Sequence, residues 1–169
     1  MFIGRTHELS EMQRRYERNR FECIILYGRR RVGKTALIRE FCQDKHTIFF
    51  TALETTAKEN LQNFSQCIYA AQGGDGDAPV YADFPAALSA ITSMARDEKL
   101  VLVIDEYPYL AKAYPGISSL YILPFSHSYS VFRSFSKQQD CLMLGFFDIS
   151  CQKPQAGAIC AYSKQNVVP

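Results

Sequence analysis

An α/β fold, with helices packed on both faces of a mostly parallel sheet, is what three features of this 169-residue chain predict. Short apolar runs alternate with amphipathic stretches as far as residue 106, the pattern of strand–helix–strand units. One of these units joins strand to helix through Gly28-Arg29-Arg30-Arg31-Val32-Gly33-Lys34-Thr35, which fits G-x-x-x-x-G-K-[ST] at every position. A later run, Leu100-Val101-Leu102-Val103-Ile104, is apolar throughout and ends in the acids Asp105 and Glu106. The length suits one such domain with a real core and is short for two.

The elements follow in order. Phe2-Ile3-Gly4-Arg5 precedes a helix at about residues 6–19, with Leu9, Met12 and Tyr16 on one face. The first strand covers residues 21–27, where Cys23-Ile24-Ile25-Leu26-Tyr27 is apolar as a buried parallel strand should be. After the glycine-bounded loop, Leu37, Ile38 and Phe41 recur at helical spacing to about Cys42. Residues 46–51 are rich in β-branched and aromatic side chains and read as the second strand. A helix at about residues 57–70 turns Leu61, Phe64, Cys67 and Ile68 inward. Glycines, aspartates and Pro79 make residues 72–79 a loop. The helix after it, at about residues 83–96, carries Pro85 in its first turn, where a missing N–H costs nothing.

The loop carries the chemistry. Its backbone N–H groups and the following helix N-terminus form a concave set of donors for the phosphates of a nucleoside triphosphate. That cradle spans Gly28, Arg29, Arg30, Arg31, Val32, Gly33, Lys34, Thr35 and Ala36. Lys34 would reach the β- and γ-phosphates, and the Thr35 hydroxyl would ligate Mg²⁺. A chance match to this pattern in an ordinary composition is roughly a one-in-a-hundred event, and the strand–loop–helix context lowers it further. Asp105, at the end of an apolar strand, is the expected second holder of Mg²⁺. Glu106, one residue on, can take a proton from an attacking water. Without the loop, the two acids would read only as the start of a solvated turn. No N-K-x-D tetrad is present, so adenine is the default base.

Composition excludes several classes. A net charge of +2 gives no strong field for nucleic acid or an anionic membrane. Arg14, Arg15, Arg18 and Arg20 are expected on a solvated helix face; Arg29 to Arg31 are expected to be exposed or packed, the alternatives being that they add to the positive field or contact a neighbouring subunit. No run of 18 apolar residues and no signal-type start is present, so a membrane span or secretion is not expected. The six cysteines include no C-x-x-C pair, which favours reduced thiols in a cytoplasmic protein over disulfides or a thiolate metal site.

Taken together, the Phe-Ile-Gly-Arg start, the triple-arginine loop and the stretch Asp105-Glu106-Tyr107-Pro108-Tyr109-Leu110 resemble the archaeal-type ATPase family, AAA-like P-loop ATPases. The resemblance runs to about residue 120. It implies the three-layer sheet of the ASCE division of P-loop NTPases, with ATP and Mg²⁺ at the strand ends and Glu106 catalytic. It also implies that Gly4 and Arg5 lie near the adenine. Residues 1–120 are therefore expected to be the N-terminal part of a P-loop ATPase domain. Residues 121–169 depart from the family: they hold six charged side chains, no glutamate and no helical period. Family members would continue with a strand, bearing a polar sensor residue, that inserts between the loop strand and the strand of Asp105. The tail is expected to be a frameshifted or disrupted continuation of a truncated member, leaving the sheet incomplete. The other reading is a divergent tail that supplies one further, central strand at residues 141–147. The functional expectation is ATP binding with Mg²⁺-dependent hydrolysis, in a homo-oligomer or with a protein client. Alternatives are a non-catalytic nucleotide-binding fragment and a small-molecule kinase, although nothing after Glu106 reads as an acceptor pocket with a basic lid.

Overall fold

The computed structural model describes residues 5–18, 22–27, 31–117, 141–147 and 159–163. In chain order the elements are α1 (Thr6–Tyr16), β1 (Glu22–Tyr27), α2 (Lys34–Cys42), β2 (Thr47–Thr51), α3 (Ala57–Ala71), α4 (Phe84–Met94), β3 (Leu100–Asp105), α5 (Tyr107–Ala113), β4 (Cys141–Phe147) and β5 (Ile159–Ser163). The strands form one sheet in the order β2-β3-β4-β1-β5. Strand β2 pairs parallel with β3, and β1 parallel with β5. Strand β4 lies between β3 and β1 and runs antiparallel to both.

Sequence explains which face each residue takes. Along β1, Cys23 and Ile25 point to one side, while Ile24 and Leu26 point to the other; in β3, Leu100, Leu102 and Ile104 oppose Val101 and Val103. Both strands are buried on both faces, as continuous apolar runs require. On one side the core is closed by Leu61, Phe64 and Ile68 of α3, Phe84, Ala87 and Ile91 of α4, and Tyr107 and Leu110 of α5. On the other it is closed by Met12 of α1 with Leu37, Ile38 and Phe41 of α2. For α1, α2 and α3 these residues fall on the faces that helical spacing predicts.

Local chemistry sets the helix starts. At α3, Thr56 Oγ1 accepts from the Glu59 N–H while the Glu59 carboxylate accepts from the Thr56 N–H, a reciprocal capping box. At α4, Asp83 caps the Ala86 N–H at 2.8 Å and Pro85 occupies the first turn. Asn60, fully buried, donates to the Leu53 and Thr56 carbonyls and accepts from the Leu53 N–H, which pins the loop leaving β2.

The structure departs from expectation at four places. Helix α1 ends at Tyr16, three residues early, and its basic residues are not one solvated face. Arg14 is exposed, but Arg15 is only 13% exposed and, with Arg18, grips the fully buried carboxylate of Glu22 at 3.1 and 3.2 Å. Arg20 lies outside the described residues. Helix α5 and strand β5 form where no element is expected. The antiparallel direction of β4 has a physical basis: a strand filling a gap between two parallel neighbours can satisfy both edges with ladders of either sense.

Candidate nucleotide-binding site

The carboxyl ends of β1 and β3 face the same end of the sheet, because the two strands run in the same direction on either side of β4. Strand β1 ends at Tyr27, and the loop beyond it closes on Gly33, the N-cap of α2. Gly33 has φ +77°, a left-handed conformation that suits glycine because it lacks a Cβ. Space is not the constraint there, since an added Cβ would meet nothing nearer than Arg5 Nη2 at 3.9 Å. Lys34, Thr35 and Ala36 are the first three residues of α2, so their N–H groups are helix-terminal donors without intrahelical acceptors. Gly28, Arg29 and Arg30 lie outside the described residues, as does Gly4.

Across the sheet, Asp105 is the last residue of β3. Thr35 Oγ1 donates to Asp105 Oδ2 at 2.9 Å, and Asp105 Oδ1 accepts from the Glu106 N–H at 3.0 Å. The two halves of the predicted site therefore touch, although 70 positions of sequence and one whole strand separate them. Hydroxyl and carboxylate oxygens are the hard donors that Mg²⁺ takes, so this pair fits that ion chemically. Glu106 sits at φ +53° as the residue before α5, half-buried beside Asp105.

Arg5 reaches the loop from α1. Its Nη2 donates to the Val32 carbonyl and its Nη1 to the Gly33 carbonyl at 3.4 Å. A small recess among Arg5, Glu8, Tyr27, Val32 and Lys34 opens beside this contact, between the starts of α1 and α2. Among the described residues, the non-glycine positions with positive φ are Arg5, Arg31 and Glu106, all at this end of the sheet. Such conformations cost about 1–3 kcal/mol each and concentrate at functional sites. Sequence reasoning selected all three residues but had no signal for their backbone geometry, nor for the contact between Arg5 and the loop carbonyls.

An α/β sheet with a glycine-bounded strand–loop–helix unit and a carboxylate at a second strand end is compatible with a P-loop-like ATPase domain. The chain belongs to the family described as an ATPase domain predominantly from Archaea, which matches residues 2–130. It is 31% identical over 121 residues to an uncharacterized protein of Methanocaldococcus jannaschii, a match covering 72% of this chain and 25% of that protein. A second protein of the same organism, described as an uncharacterized ATP-binding protein, is 51% identical over 45 residues, 27% of this chain and 76% of its own length. The chain thus matches about a quarter of the longer relative. No solved structure matches it significantly.

Proposed function

We propose that this domain binds ATP with Mg²⁺ and hydrolyses it, on a sheet of the ASCE type. The observation that carries the reading is the 2.9 Å hydrogen bond from Thr35 to Asp105, which joins the loop helix to the acid-bearing strand. Family membership and the ATP-binding relative support the choice of nucleotide. The loop N–H groups from Gly28 to Ala36 and the Lys34 ammonium would hold the phosphates, and the family resemblance would put Gly4 and Arg5 near the adenine. Thr35 and Asp105 would hold Mg²⁺, which when bound neutralises charge on the β- and γ-phosphates. Glu106 would orient a water in line with the γ-phosphorus and accept its proton as the new P–O bond forms and ADP leaves. Strong turnover would draw on an arginine from a second subunit or a client protein. Cys23, Cys42 and Cys67, which are thiols rather than disulfides, fit a reducing, cytoplasmic setting, with burial holding the thiols of Cys42 and Cys67 above their ordinary pKa.

A second reading, binding without turnover, is favoured by the direction of β4. Its first residue, Cys141, pairs with Tyr27 at the nucleotide end, while its carboxyl end lies by Glu22 and Leu100. A polar residue at the carboxyl end of β4 would therefore face away from the phosphates. ATP binding and phosphate release by the purified chain decide between the two. Lys34→Ala is expected to weaken ATP binding at least about tenfold, the effect of losing one well-placed charge-assisted contact. Glu106→Gln is expected to bind ATP normally and to lose at least about a hundredfold in release rate. Equal release by the wild type and Glu106→Gln would leave only the binding reading.

A further inference from the structure

We propose that Arg5 is a positioning residue, which presets the phosphate cradle by holding the peptide planes of the loop rather than by reading the nucleotide. The proposal rests on the P-loop reading above. In a planar trans peptide the C=O and N–H point in opposite directions. The Val32 carbonyl shares its plane with the Gly33 N–H, and the Gly33 carbonyl shares its plane with the Lys34 N–H. Arg5 donates to both carbonyls from one side, so the two N–H groups are turned to the other, where the cradle needs them. The Gly33 carbonyl also accepts the Leu37 N–H at 3.0 Å, which ties the same peptide to the first turn of α2. A guanidinium suits this work because its planar fork spans two acceptors at once.

The arginine is held to do so. Its own carbonyl accepts the Leu9 N–H at 3.1 Å, the first bond of α1. Its φ of +61° is a strained value for a side chain of this size, and a backbone outlier of this kind points to function. At the far end of α1, Arg15 and Arg18 grip the buried Glu22 at the start of β1. Helix α1 thus runs back along β1, fixed to its start by one ion-pair cluster and to the loop beyond its end by Arg5.

Calorimetric titration of the full chain with Mg²⁺ and either ATP or inorganic tripolyphosphate tests this. Arg5→Lys keeps the charge and loses the fork. It is expected to bind both anions about tenfold more weakly, with their affinity ratio unchanged and the unliganded Gly33 and Lys34 amide resonances displaced. Arg5→Lys binding tripolyphosphate as tightly as the wild type would overturn the proposal, since charge alone would suffice. Loss of ATP affinity with tripolyphosphate unaffected would also overturn it, because Arg5 would then read the nucleoside. If the wild type binds neither anion, or Lys34→Ala binds both normally, the P-loop reading fails and this inference with it. Lys34-dependent binding with a wild-type-like Arg5→Lys sinks this inference alone.

Discussion

Glu22 shows how one buried carboxylate can reassign residues that composition places on a solvated face. It opens a strand of apolar residues, its side chain is fully buried, and its two oxygens face Arg15 and Arg18. Removing one partner of a buried pair strands the other charges, which is more costly than losing the pair whole. Arg15 would keep Glu11 at 2.9 Å, and Arg18 is one-third exposed, so both can recover part of the loss. Glu22→Gln should therefore lower unfolding free energy by about 3 kcal/mol, near the low end for a broken buried pair, read from the denaturant midpoint. The sequence showed these arginines as a run of like charge, and nothing in their spacing said that the carboxylate of Glu22 would draw two of them inward. Lys34, Thr35, Asp105 and Glu106 stood out for the opposite reason. The chemistry proposed for them requires fixed neighbours in sequence, so a short pattern suffices to pick them out. Arg5 was selected by resemblance alone, and its contact with Val32 and Gly33 exists only once α1 has folded back along β1.

Among elements, helices with a full apolar stripe were readable and short ones were not. Helix α3 has Leu61, Phe64 and Ile68 at helical spacing and a Thr56–Glu59 capping box to start it. Helix α5 has seven residues, fewer than two full turns of pattern, and proline near its start, so only packing by Tyr107 and Leu110 declares it. The α3 cap has its own pH dependence. Hydrogen bonds from the Thr55 hydroxyl, the Thr56 hydroxyl and the Thr56 N–H hold the Glu59 carboxylate below its ordinary pKa. A carboxyl group depressed in the folded state stabilises above its unfolded pKa and stops doing so as pH falls through the folded value. Thr56→Ala should cost about 1 kcal/mol at neutral pH by thermal unfolding. The gap in Tm between the wild type and Glu59→Gln should narrow as pH drops below about 4. A gap that widens with acid would place the stabilising partner elsewhere.

For the molecule as a whole, strand–helix alternation predicted an α/β sheet, and the order of its middle strands depends on residues far along the chain. Strand β4 supplies partners to β3 and β1 at once, so both inner edges are paired. Its apolar run was visible in the sequence, but an apolar run reads the same in both directions, and only the ladder registers reveal that it runs antiparallel. Strand β5, Ile159-Cys160-Ala161-Tyr162-Ser163, lacks the dense β-branched and aromatic run that marked β2 at the same length. Leu144 pairs with Ile24 on one side and Val103 on the other, so proline there must break a ladder bond in the middle of the sheet. Leu144→Pro should cost about 3 kcal/mol or more and broaden or abolish cooperative unfolding by circular dichroism. Tolerance of that proline would mean that residues 141–147 are not a central strand.

The insertion of β4 also gives the molecule a clock. Strand β1 pairs with a segment more than a hundred residues downstream, so the ladder at the centre of the sheet is among the last contacts the nascent chain can make. At elongation rates of about 5–20 residues per second, β1 leaves the ribosome roughly 6–25 s before β4 does. Throughout that interval the β1 edge awaits a partner that has not been made, and once β3 has emerged its inner edge waits as well. The chain's yield on expression should accordingly respond to translation speed and to holding chaperones more than its equilibrium stability alone would suggest.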